Sequence, residues 1–98
     1  MVAVVNLTWI QAARAAFAAV YGEKKGLAVC NAVIPGVMGD FRKMLERAAP
    51  GETVRETYRL DDKKGDIALT GRREEAGLLL TSLTVAGLPV DLQGGVRL

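Results

Sequence analysis

LAVCNAVIPGVMGDFRKMLERAA, residues Leu27–Ala49, is the stretch on which the reading of the fold turns. A run without charge, Leu27–Ile34, meets Pro35-Gly36, and a charged amphipathic segment follows. The run fits a buried strand and a helix equally, because so short an apolar segment has no period that separates the two. Pro35 is expected to end either one, since the residue before a proline is driven toward extended geometry. From Asp40 the pattern predicts a helix, with Phe41, Met44, Leu45 and Ala48 on one face and Arg42, Lys43, Glu46 and Arg47 on the other. Ala49-Pro50-Gly51 stops it.

Upstream, Val2-Ala3-Val4-Val5 is β-branched and reads as a strand. Thr8 and Gln11 form a capping-box pattern for a helix over about 9–21, and Ile10, Ala13, Phe17 and Val20 fall on one of its faces. Gly22 and Gly26 bracket Glu23-Lys24-Lys25 as the polar turn that ends this helix. Downstream, Thr53–Leu60 alternates Val54, Tyr58 and Leu60 against Arg55, Thr57 and Arg59. Asp61–Gly65 reads as a hairpin loop, Ile67 and Leu69 as the returning strand, and Gly71–Gly77 as a charged connector. Leu79–Val85 alternates again, Ala86-Gly87 turns the chain, and Leu88–Leu92 is a last strand that Pro89 confines to an edge. Residues 92–98 are expected to be a loose tail. The expected fold is a single α+β domain over 1–98, with two or three helices packed on one face of a mainly antiparallel sheet of four to five strands.

The 98 residues are half hydrophobic, enough for a core without disulfides or metals. There is no histidine, which removes the usual general base and the usual metal ligand together. Cys30 is the sole cysteine, so the chain has no internal disulfide, and no basic neighbour on its own segment lowers its pKa. The acidic pairs Asp61-Asp62 and Glu74-Glu75 alternate with Lys or Arg and read as solvated turns, without the spaced oxygen ligands of a calcium loop. Arg55, Thr57 and Arg59 share a strand face near Glu52 and Glu56, as a solvated, internally paired surface would. The expectation is therefore a protein that is not an enzyme, with no catalytic residues, no cofactor and no metal site. No segment is long and apolar enough to span a bilayer, and a cytoplasmic location is expected.

The helix over 9–21 carries a single charge, Arg14, and its back is Ala12, Ala15, Ala16, Ala18 and Ala19. A helix without a charged face is normally covered all round, and a chain of this size has little with which to cover both sides. That predicts a protein partner, foremost a second copy, at an interface made by Trp9, Ala12, Ala15, Ala16 and Ala19. Abundant Ala, Gly and Arg suit a GC-rich bacterial or phage genome, and the uncharged helix makes an oligomer or a component of a larger assembly the expected form.

Gly36-Val37-Met38-Gly39 admits another reading. With Ile34 before it, Arg42 and Lys43 after it and the strands that follow, the segment resembles the centre of a KH domain. In that family a GXXG loop between two helices clamps single-stranded nucleic acid. The resemblance implies contacts through Gly36, Gly39, Arg42 and Lys43, a strand over Gly65–Gly71 and a closing helix over Arg73–Leu83. Protein contact is the leading expectation and the KH-like module the alternative.

Overall fold

In the computed structural model, which describes residues 8–60 and 65–98, two helices cover one face of a five-stranded antiparallel sheet. The elements are α1 (Thr8–Tyr21), α2 (Glu23–Arg47), β1 (Thr53–Arg59), β2 (Asp66–Glu74), β3 (Gly77–Val85), β4 (Leu88–Pro89) and β5 (Val96–Arg97). This is the expected α+β class, with a helix count of two. The strand expected at Val2–Val5 and most of the loop at Asp61–Gly65 lie outside the described residues.

The stretch from Leu27 to Ala49 departs from its reading. It holds no strand and no break: α2 is continuous for 25 residues and contains Pro35. A proline inside a helix removes one N–H donor and crowds the carbonyl four residues earlier, at a cost of about 3 kcal/mol. Two features offset that here. Pro35 and Asn31 both face solvent, so the carbonyl left without an N–H can be hydrated. The opposite face carries Gly26, Cys30, Ile34, Val37, Phe41 and Leu45, all buried at helical spacing. Tertiary packing of that stripe outweighs the local preference at Ile34 and Pro35.

The turn between the helices is also shorter than expected. Gly22 alone separates α1 from α2, with φ 89°, and Glu23-Lys24-Lys25 are the first turn of α2. Gly26 is therefore helical and buried. A Cβ there would lie 2.6 Å from the Ala18 backbone nitrogen and 2.7 Å from the Phe17 carbonyl carbon. The missing side chain is what lets α2 fold back against α1. Being shorter, α1 covers only the first part of α2, and the remainder of α2 lies on the sheet alone.

The sheet runs β1-β2-β3-β4, and β5 pairs β3 beside Leu79 and Leu80. Residues 92–98 are accordingly not a loose tail: Leu92 is buried, and the Leu98 amide donates to the Leu78 carbonyl at 3.0 Å. The expected connector at Gly71–Gly77 and the KH-like closing helix at Arg73–Leu83 are instead the β2–β3 hairpin, turning at Glu75-Ala76. Between Thr70 and Gly71 the β2–β3 register shifts, so that Gly71 faces Leu80 and Thr70 faces Ser82. Thr81 is the extra residue. Its hydroxyl donates to the Thr70 carbonyl at 3.0 Å, and Thr81 and Ser82 both face water while Leu80 and Leu83 are buried. That bulge explains why simple alternation fails along β3. Pro89 does lie at a sheet edge, as expected.

At Gly71 a Cβ would meet a Phe41 ring carbon at 2.8 Å and the Leu79 carbonyl at 2.9 Å. Phe41 thus rests directly on the backbone of β2. The junction between α2 and the sheet is further tied by Arg73, whose guanidinium donates to the carbonyls of Glu46 and, at 2.9 Å, Ala48. Its backbone donates to Glu52 and accepts from Gly51. One residue caps the end of α2 and holds the α2–β1 turn to β2.

Two glycine substitutions separate these features. Gly36 is helical with nothing among the described residues within 4 Å of its would-be Cβ, so Gly36→Ala is expected to stabilise by roughly 0.5–1 kcal/mol. Gly26→Ala gains the same propensity but meets backbone, and is expected to lose about 2 kcal/mol. Urea denaturation of both variants checks the pair. A loss at Gly36→Ala would contradict a continuous α2.

Candidate protein interface

The residues that the uncharged first helix offered as an interface divide on folding. Ala16 is only 7% exposed and belongs to the core with Ala13 and Phe17, so it has no surface for a partner. Trp9 and Ala12 are half-buried against that core, and only Ala15 and Ala19 face solvent fully. The reason is the hairpin: α1 packs against α2 and touches β3, so this chain itself covers most of the apolar surface of α1. What remains outside on α1 is small, and no large apolar side chain of α1 is exposed.

The uncharged surface lies instead mainly on α2. From Leu27 to Gly39 there is no charged residue, yet Leu27, Ala28, Asn31, Ala32, Pro35, Gly36 and Gly39 are all exposed. Leu27 is 45% exposed, the largest value for a large apolar residue among those described. Sequence reasoning missed this face because Pro35 divided the helix that displays it. The signal was present in the absence of charge between Lys25 and Asp40.

Along the flank of α2 toward β1 the surface sinks into a groove of about 380 Å³. Val29, Ala32 and Val33 form its helical wall, and Tyr58 and Leu60 its strand wall. Arg59 at the rim is its one charged lining residue among those described. Lys25 sits nearby, its ammonium 5.4 Å from the centre of the Tyr21 ring. Farther along α2, the Tyr58 hydroxyl donates to Asp40 at 2.6 Å and fastens β1 to the helix. Burial first, and then Asp40, push the Tyr58 phenol well above the usual tyrosine range. Asp40, expected at the start of a helix, lies inside α2 and accepts this phenol.

The glycine segment of the KH-like alternative does not form a loop. Gly36, Val37, Met38 and Gly39 lie within α2, so their amides belong to the helical ladder instead of an open clamp. Arg42 and Lys43 are exposed on the next turn, and Arg42 pairs with Glu46 at 3.2 Å. The first turn of α2, where amides are unsatisfied, is at Glu23.

Other chemically capable groups are held internally. Cys30 is buried, and burial pushes its thiol up, with Arg14 pulling weakly the other way. A shallow basin of about 510 Å³ at the β2–β3 turn gathers Arg72, Arg73 and Arg97. Glu74 answers two of them, at 3.1 Å to Arg72 and 3.6 Å to Arg97, and Arg73 caps α2. Among the described residues no group of His, Cys, Asp and Glu is placed to hold a metal, and no helix is long and apolar enough to cross a membrane. No known family model, curated protein or solved structure matches this chain.

Tyr58 gives the interface region a pH signature. A phenol whose folded pKa exceeds its unfolded one stabilises fully below the ordinary value near 10 and loses that contribution as pH rises through the folded value. Stability should therefore decline from about pH 10 upward, and Tyr58→Phe should reduce that decline. Phenolate absorbance of the parent should also contain a component that titrates above the ordinary tyrosine range and is lost in Tyr58→Phe. A titration curve in which Tyr58→Phe removes only an ordinary tyrosine component would remove the Asp40 contact.

Proposed function

We propose that this chain works through protein–protein contact, as an oligomer of itself or as a component of a larger bacterial or phage assembly. The supporting observation is the exposed, charge-free face of α2 from Leu27 to Gly39. A surface helix ordinarily places charged residues opposite its buried stripe, as α2 itself does after Asp40 with Arg42, Lys43, Glu46 and Arg47. Its first half does not. Small side chains there let another backbone approach closely, and Leu27 adds an apolar anchor at one end. Ala15 and Ala19 are further exposed, uncharged positions on α1. Self-association is the form of contact that needs no further component.

Sedimentation velocity at tens of micromolar tests this reading. The expected species is heavier than the 10.4 kDa monomer, and Leu27→Glu with Ala28→Glu should return it to monomer while the circular dichroism stays unchanged. Both positions are exposed, so the charges add no buried cost. A clean monomer, with parent and variant equally soluble, would rule out self-association through this face.

A further inference from the structure

We propose that the outer edge of β1 accepts an extended segment of a partner protein as an added strand, one that alternates acidic and apolar side chains. The inference goes beyond the self-association reading and uses the neighbouring surface at β1, which meets the α2 face at Ala32.

The hydrogen-bond phase of β1 sets up the edge. Glu52 accepts from the Arg73 amide at 3.0 Å, and the Leu60 amide donates to Gly65 at 3.0 Å. In an antiparallel ladder alternate residues bond to the same neighbour, so the even-numbered residues of β1 bond to β2. The amides and carbonyls of Thr53, Arg55, Thr57 and Arg59 consequently point the other way, where β1 has no partner strand among the described residues. The edge is regular: its register with β2 is unbroken from Thr53 to Arg59, and it contains no proline. Native edges of this kind are usually shortened, bulged or covered.

Side chains define what would fit. On the face covered by the helices, the apolar groove opens beside Tyr58 and Leu60, with Val29, Ala32 and Val33 across from them. Residues of an added strand opposite Tyr58 and Leu60 would place their side chains in it. On the open face stand Arg55 and Arg59. Arg55 forms no ion pair among the described residues. Arg59 is 81% exposed and only loosely held by Asp66 at 3.8 Å. Acidic residues opposite these arginines complete the match. Glu56, the one charged residue on the covered face of β1, favours a basic residue opposite itself.

The same charges disfavour a second copy of β1 as the occupant. Two identical strands paired antiparallel about a twofold must match residues of the same face. The registers that overlap most of β1 with itself set Arg55 against Arg55, Glu56 against Glu56, or Arg55 against Arg59. Like charges directly opposite one another are destabilising.

Val-Asp-Val-Thr-Lys-Asp, blocked at both ends and carrying a fluorophore, serves as the probe: laid antiparallel to β1 it sets valines opposite Leu60 and Tyr58, aspartates opposite Arg59 and Arg55, and the lysine opposite Glu56. Titration with the full chain should give saturable anisotropy. Arg55→Glu with Arg59→Glu should weaken binding at least tenfold, as should Ala32→Trp, which fills the groove from an exposed helix position. Amide exchange supplies the control for folding and for the edge itself. In the free chain the amides of Thr53, Arg55, Thr57 and Arg59 should exchange rapidly, those of the even residues slowly, and the peptide should protect the former. The proposal fails if the peptide does not saturate at millimolar chain, or if the variants bind as the parent does. It fails equally if the odd amides are already protected without peptide, because the edge is then occupied by the chain itself.

Discussion

Phe41 lies on Gly71, a residue in the middle of β2 that has no side chain, and the arrangement of the molecule depends on that contact. It sets how closely α2 approaches the sheet. With Phe41 seated, Leu45 comes within 3.1 Å of the same would-be Cβ, and the buried stripe runs back through Val37, Ile34 and Cys30 to Gly26. At Gly26 a second absent side chain sets the approach of α1. The helical layer is therefore held close at two glycines, one on the helix and one on the sheet. Between them the packed face carries α2 through Pro35.

How far this was legible in the sequence depends on which interactions are local. The strands over Thr53–Leu60 and Ile67–Leu69 were readable because alternation over a half-buried surface is a property of each segment alone. The helix from Asp40 was readable for the matching reason, its charges and apolar residues being segregated at helical spacing. The continuity of α2 was not, because Pro35 and Gly36 argue against helix locally and only the sheet beneath them argues for it. Gly71 misled in the same way: a glycine beside Arg72 and Arg73 looks like the start of a connector until Phe41 is placed upon it. The candidate interface suffered most. Without the α1–α2 hairpin, Ala16 could not be distinguished from Ala15, although one is core and the other surface.

Charge is unevenly arranged over the folded chain. The sheet face away from the helices carries Thr53, Arg55, Thr57, Arg59, Thr70, Arg72 and Thr84, with Ala68 and Leu79 among them, a mainly polar surface of the kind an antiparallel sheet turns to water. Its far side is closed by short strands, β4 containing Pro89 and β5 at the end of the chain. The C-terminal turns of α2 are salted with Arg42, Lys43, Glu46 and Arg47. Against these, two surfaces stand out: the charge-free outer face of α2 and the regular open edge of β1. The groove between α2 and β1 separates them.

The composition of that helical face is hard to derive from folding alone. At an exposed helix position, Ala, Glu, Lys or Arg is more favourable than Gly by up to about 1 kcal/mol and more favourable than Pro by about 3. Pro35, Gly36 and Gly39 all occupy exposed positions of α2, and among the described residues neither glycine has any atom within 4 Å of its would-be Cβ. No close packing among the described residues requires either glycine, in contrast to Gly26 and Gly71, and Pro35 faces solvent. A sequence selected only to hold this helix on this sheet would have no use for them. A surface that must let another backbone come near would, since a flat, uncharged helix face permits what long charged side chains prevent. The proposed contact accounts for residues that the fold leaves unexplained.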